Sequence, residues 1–360
     1  MDFTPTEEQA AGQGLAARIF KDLSTHERLA AAGTGIDAEL WKELCAAGLI
    51  AAVEEIGLLG LVLLLEEQGR TTAQVPFAAT CVYGMLAVGE HGTAEQRERL
   101  LPLLRDGTAV ATGAFPVRGG LRSEGGGRLS GSVPYVPWLR GATHVLVPDS
   151  DRALWMVGTA DPGVSVRPVE TTAPWAAGRL GLDGASGERV GGAGAYDSVL
   201  AMSRTAFAGL QAGVAAGSLA RAVEHTGTRE QFGRPLSTNQ AVLLRAADAH
   251  MDTEAIRVTA YEAAWRRDHS LAYGAQALTA AWWASEAGRR VVHAGQHLHG
   301  GTGADLEHPV HRHFLWGRQL DAYLGCGSEL LDELGRLLGE TEADAEAGTR
   351  AGSGAEGVPV

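Results

Sequence analysis

Two short runs carry residue types that could hold a phosphorylated ligand. The first is Arg229-Glu-Gln-Phe-Gly-Arg-Pro-Leu-Ser-Thr-Asn-Gln240, and the second is His297-Leu-His-Gly-Gly-Thr-Gly303. A guanidinium fork can grip a diphosphate through two parallel N–H bonds, and an aromatic ring can cover an adenosine. Glycines, having no side chain, let backbone amides approach a phosphate or a ribose. The chemistry open to Arg229, Phe232 and Gln240 together with His297, Gly300, Gly301 and Gly303 is therefore that of a dinucleotide clamp. An isolated Arg-x-x-Phe-Gly run reads more simply as a helix-end ion pair with a packing aromatic. The second run and the order of the surrounding elements tip that balance.

Those elements fall into three blocks and a tail. From Thr6 to about Leu104, apolar residues recur at helical spacing, as in Leu15, Ile19, Leu23 and in Leu40, Leu44, Leu49. Thr4 is the expected N-cap of the first helix, with Pro5 in its first turn. From Asp106 to about Asp197 glycine crowds in, and short β-type runs such as His144-Val-Leu-Val-Pro148 and Ala153-Leu-Trp-Met-Val157 alternate with turns. From Val199 the helical period returns over Thr205–Thr226, Ser237–Asp268, Leu271–His297 and Leu315–Leu338, which predicts a four-helix bundle. The expected division is a helical domain over 1–105, a β domain over 106–198, a bundle over 199–339, and a disordered tail over 340–360, where large apolar side chains almost vanish.

A chain of 360 residues can bury a large core divided into several layers. Its formal charge of -13 argues against a nucleic-acid surface, which needs a basic stripe. Cys45, Cys81 and Cys326 are too few and too scattered for a disulfide framework or a paired zinc site, so a reducing cytoplasm is the expected setting. The first residues carry no basic and apolar export pattern, and the longest apolar run, around Ile56 to Leu65, is too short to span a bilayer. His308, His311 and His313 sit at a spacing that invites a metal, but no cysteine or second acid cluster completes a set, and a solvated or interface segment is the expectation. Trp265, Trp282 and Trp283 are read as core or subunit interface.

Helical, then β, then four-helical, with these two motifs, resembles the acyl-CoA dehydrogenase family over nearly the whole chain. Glu90-His-Gly-Thr-Ala-Glu-Gln-Arg-Glu-Arg-Leu-Leu-Pro102 resembles the family's segment joining the first two domains, and Arg204 resembles the arginine that opens the first bundle helix. The resemblance implies FAD as cofactor, lying across a dimer interface. Its ring would rest on the middle domain of one subunit, and its adenosine diphosphate end would be held by the neighbour's bundle. Arg229, Phe232, Gln240, Gly300, Gly301 and Gly303 match that distal contribution, with His297 where glutamine is usual.

Desaturation of a thioester needs a base for the α-proton opposite a flavin that accepts the β-hydride. The resemblance places that glutamate at one of two positions. Here they read Leu324 or Cys326, depending on alignment, and Ser203; none is a carboxylate. Glu329 is near in sequence but is expected to open the last helix as a first-turn acid. The family's flavin and thioester loop resembles Ala114-Phe-Pro-Val-Arg-Gly-Gly120 without its hydroxyl and acids, and Tyr135-Val-Pro137 carries a proline where a hydroxyl is expected.

A kept distal site beside an altered proximal one implies a division of labour. The expectation is a non-catalytic subunit of an α2β2 acyl-CoA dehydrogenase. A homologous partner would carry the base, the flavin ring and the acyl-CoA, and an electron-transfer flavoprotein would be the acceptor. A steroid side-chain thioester is the substrate by analogy only. Two other readings stay open: a homodimeric FAD enzyme of altered chemistry, such as an acyl-ACP desaturase or a flavin oxygenase, and a structural or regulatory homologue that does not use flavin.

Overall fold

The computed structural model describes residues 1–117 and 120–353, with side chains as far as residue 340. The N-terminal part is helical: α1 (Glu7–Leu23), α2 (His26–Ala32), α3 (Ala38–Ala46) and α4 (Val53–Thr71) are followed by α5 (Phe77–Ala79). That helix runs through a π-helical stretch (Thr80–Leu86) into α6 (Ala87–His91), before α7 (Ala94–Arg105). The cap of α1 is Thr6, not Thr4. Gln9 N–H donates to Thr6 Oγ1 at 3.3 Å and Gln9 Oε1 accepts from Thr6 N–H at 3.0 Å, a reciprocal capping box. Thr4 is instead turned onto Asp2, so Pro5 lies ahead of the helix.

α4 breaks at Gly57, whose φ of 70° only glycine adopts cheaply. Asp268 enters that break from the bundle and accepts from the Leu58 and Leu59 amides at 2.9 and 2.8 Å. A Cβ on Gly57 would collide with its carboxylate at 2.7 Å. Further along α4, the buried Glu66 pairs with Arg257 at 3.0 Å. These contacts lock the N-terminal helices to the bundle.

The middle block is a seven-stranded sheet in the order β1-β4-β5-β7-β3-β2, with β6 also on β7. Its strands are β1 (Ala111–Gly113), β2 (Arg122–Ser123), β3 (Arg128–Val136), β4 (His144–Pro148), β5 (Leu154–Gly158), β6 (Val164–Pro168) and β7 (Gly178–Val190). Only β1 and β4 run parallel. β7 pairs β6 and β3 along most of its length and β5 at its end, so one long strand folds the sheet around its own small core, including Leu129, Val145, Val157, Leu180 and Ala185.

The bundle follows: α8 (Ala195–Thr228), α9 (Gln240–Asp268), α10 (Gly274–Leu298), α11 (Val310–Tyr323) and α12 (Gly327–Ser353). α8 is central and packs on α4, α9, α10 and α11. The expected helix over Leu315–Leu338 is in fact two, because Gly325 takes a φ of 121°, a conformation that side-chain-bearing residues rarely adopt and that ends α11. α12 then continues to Ser353, through much of the expected tail, since the Ala and Glu that lower hydrophobicity there are also strong helix formers. Residues 354–360 of that tail lie outside the described residues.

Candidate functional site

α8 ends at Arg229, whose N–H donates to the His225 carbonyl at 2.8 Å. The chain then turns back in a two-residue hairpin, β8 (Glu230–Gln231) against β9 (Arg234–Pro235). At its tip Phe232 and Gly233 have φ of 55° and 75°. Positive φ at both central residues is the mark of a type I′ turn, which suits Gly233 and strains Phe232. The Phe232 ring is 100% exposed. An aromatic held in a disfavoured conformation and left uncovered among the described residues is an unusual surface feature. Leu236 N–H donates to Arg229 O at 2.9 Å and closes the loop, and Asn239 Oδ1 caps α9 by accepting from Ala241 N–H at 3.0 Å. Gln240, the first residue of α9, is thereby set on the exposed face next to Arg229's hairpin.

The second run closes α10. His297 is exposed in its last turn, and Gly300 turns the chain with a φ of 61° into a 3₁₀ segment, Gly300–Ala304. Cβ atoms on Gly300 or Gly301 would meet nothing within 4 Å, so these backbones face open space. Gly303 is different: a Cβ there would lie 2.3 Å from the Gln296 carbonyl, and its own carbonyl accepts from Gln296 Nε2 at 3.2 Å. Gly303 thus serves close packing, while Gly300 and Gly301 present the backbone.

What joins the two runs was not read from the sequence. The rings of His225, in the last turn of α8, and His299, capping α10, stack with centroids 4.7 Å apart. His308 packs on His299 at 5.0 Å. Burial, then the neighbouring His299 and Arg229, hold the His225 imidazole below its ordinary range, and burial with His299 and Arg221 does the same to His308. His225 four positions before Arg229 and His299 directly before Gly300 was the available signal. The His308, His311 and His313 series does not converge: His313 is buried with Nε2 on the Arg70 carbonyl at 3.0 Å, and no three such side chains among the described residues are arranged to hold a metal.

The positions where the family's base would stand lie at the other end of α8. Ser203 is fully buried and its hydroxyl donates to Val199 O at 2.6 Å. Leu324 is buried at the end of α11. Cys326 N–H donates to Glu329 Oε2 at 3.0 Å, so Glu329 closes the first turn of α12. Arg204 is forked onto Glu333 at 2.8 and 2.6 Å, and that bond holds the Glu333 carboxyl below the usual range.

Between sheet and bundle the space is filled with rings. Phe115 is sandwiched between Tyr83 at 5.2 Å and Tyr196 at 5.6 Å. The Tyr83 and Tyr323 hydroxyls meet at 2.9 Å, and Phe207 and Trp175 pack on Tyr323. Burial pushes the Tyr83 phenol up to about 12, and that of Tyr323 upward too, so neither serves as an acid or base near neutrality. Val117 N–H, on the loop after β1, is already taken by the Tyr196 hydroxyl at 3.3 Å. Residues 118 and 119 of that loop lie outside the described residues. Outside this block lies a groove of about 850 Å³ lined by Pro116, Arg152, Arg204, Glu329 and Glu333 among others.

Residues 6–108 match the family described as acyl-CoA dehydrogenase, N-terminal domain, and residues 191–337 match acyl-CoA dehydrogenase, C-terminal domain. The chain belongs to the acyl-CoA dehydrogenase family. It is 36% identical to the acyl-CoA dehydrogenase FadE27 of Mycobacterium tuberculosis, over 95% of this chain and 100% of that one. Among solved structures it is similar to a variant of the Tcur3481–Tcur3483 steroid ACAD (42% identity, TM-score 0.89) and to the ChsE4–ChsE5 complex from Mycobacterium tuberculosis (32%, TM-score 0.88). Both likenesses span 94% of this chain and 99% of the other.

Acyl-CoA dehydrogenases are FAD-dependent flavoproteins, and the two ends of α8 fit that cofactor differently. An exposed guanidinium, an uncovered aromatic and open glycine backbone suit its adenosine diphosphate end. The ring-filled face between sheet and bundle, with its loop amide engaged, does not suit an isoalloxazine.

Proposed function

We propose that this chain is the non-catalytic member of an α2β2 acyl-CoA dehydrogenase, supplying the adenosine diphosphate clamp for a flavin whose ring rests on a homologous partner. The ring-filled face, with Phe115 sandwiched between Tyr83 and Tyr196, carries the reading, and the distance along α8 keeps that face apart from the clamp. Phe207 and Arg229 lie 22 positions apart on one helix, about 33 Å at 1.5 Å per residue, a span longer than an extended dinucleotide. A flavin held by Arg229, Phe232, Gln240, Gly300 and Gly301 therefore reacts elsewhere. When bound, FAD accepts the β-hydride of a CoA thioester, and the partner provides the base and the acyl pocket.

This chain's part is to grip, orient and dock. Arg229 forks onto the diphosphate, Phe232 covers the adenosine, and Gln240 and His297 offer polar contacts at the rim. Leu244, Met251 and Val258 on α9 are about half exposed or more and recur every seven residues, a seam suited to a helix of the partner. The absence of a free carboxylate at Ser203, Leu324 and Cys326 agrees with this role. Two of its structural relatives are described as a steroid ACAD and as a two-protein complex, which supports a heteromeric assembly and a steroid side-chain thioester as substrate. An electron-transfer flavoprotein in the cytoplasm completes the proposal; no helix among the described residues is long and apolar enough to cross a membrane.

The test is turnover of the co-expressed complex. Glu329→Gln and Cys326→Ala in this chain should leave desaturation unchanged, while Arg229→Ala should release flavin. Loss of turnover in Glu329→Gln with flavin retained would move the chemistry back into this chain, as the homodimeric reading requires.

A further inference from the structure

Three histidine rings meet beside the two runs. His299 is more than nine-tenths buried, and its Nδ1–H donates to the Gly295 carbonyl at 2.7 Å, which fixes the ring's orientation. His308 Nδ1 accepts from Val310 N–H at 3.3 Å. His225 stacks on His299 one turn before Arg229, so the cluster bridges the two halves of the clamp.

Among the described residues, the charged groups around it come from three elements. α8 contributes Arg221, Glu224 and Arg229, and the segment after α10 contributes Asp305. From α11, Arg312 is turned away to Thr72 and Gln74, and His313 to the Arg70 carbonyl; the His311 ring faces the His308 carbonyl. Without ligand, burial, then His299 and the two arginines, favour the neutral form of His225 and His308. A diphosphate on Arg229 brings negative charge beside the same rings and reverses the local field, which favours protonation.

We propose that His225 and His308, both packed on His299, form a proton-uptake site coupled to the dinucleotide clamp, so that binding a diphosphate ester draws a proton into the cluster. This rests on the clamp reading above. By linkage, affinity then rises as pH falls, and uptake of about half a proton corresponds to about tenfold between pH 8 and pH 6.

The experiment uses the complex with its partner, stripped of flavin and titrated with FAD, whose diphosphate diester does not itself titrate in this range. Fluorescence gives affinity at pH 6 and pH 8, and calorimetry in two buffers of different protonation enthalpy counts protons. The expected result is proton uptake with tighter binding at pH 6. The slope should be flattened in the double variant His225→Phe, His299→Phe, which keeps a ring stack, and reduced in His308→Gln, which alters only a half-buried loop residue. Equal slopes in the wild type and both variants would overturn the proposal while leaving the clamp in place. Equal FAD affinity in wild type and Arg229→Ala would instead remove the clamp reading beneath it.

Discussion

One helix, α8, carries both regions, and they are built oppositely. Near its start Tyr196 and Phe207 join a continuous aromatic packing with Phe115, Tyr83 and Tyr323. At its end Phe232 stands uncovered on a strained hairpin tip beside an open glycine turn. The first region has filled its packing space with its own side chains, and the second leaves a ring and a glycine turn exposed. On the proposed reading, a fold that elsewhere hosts a whole reaction contributes half a binding site here, its own ring-side space being filled by side chains.

The largest effect is expected where the filled face is cut open. Trp316 is completely buried against Trp175 and Trp138, and Trp316→Ala should cost about 3 to 5 kcal/mol in denaturant unfolding. A cost under about 1 kcal/mol would mean that the face is loosely packed and could admit a ligand.

Acid should act next. Burial lowers the His313 imidazole from 6.5 to about 4. A group depressed in the folded state binds its proton first in the unfolded chain, so stability is full above pH 6.5 and is lost as pH falls toward 4. The loss from this one side chain is about 3 kcal/mol, at about 1.4 kcal/mol per pH unit. Unfolding curves at pH 7 and pH 4.5 check it, with His313→Gln as the variant whose dependence should be shallower.

At the open region the effects are on ligand more than on fold. Arg229→Ala should weaken FAD retention by the complex by about 2 to 3 kcal/mol, read as flavin lost on dilution, with unchanged unfolding of the chain. Phe232→Gly sharpens the contrast further. Relieving the positive φ should stabilise the isolated chain by up to about 1 kcal/mol while flavin retention falls. A variant that gains stability and keeps its flavin would show that the exposed ring has no ligand role.

The exposed geometry of the two runs was legible because its parts are local. A two-residue turn fixes Phe232 and Gly233, and the glycine run fixes the end of α10, so neither needs knowledge of the rest of the fold. The three-block order was legible from periodicity for the same reason. The aromatic filling was not, because Tyr83, Phe115, Tyr196, Phe207 and Tyr323 come from four separate stretches and meet only through tertiary packing. The His225–His299 stack escaped notice likewise, as did the inward role of Gly303. The helix expected over Leu315–Leu338 kept its apolar period across the break, and only the backbone angle at Gly325 reveals two helices.

The central claim is that this chain holds the tail of a flavin that reacts in another subunit, and flavin counting tests it most directly. The chain expressed alone should be colourless, and the purified complex should carry about one FAD per heterodimer. Stoichiometric FAD on the lone chain, or two per heterodimer, would contradict the account.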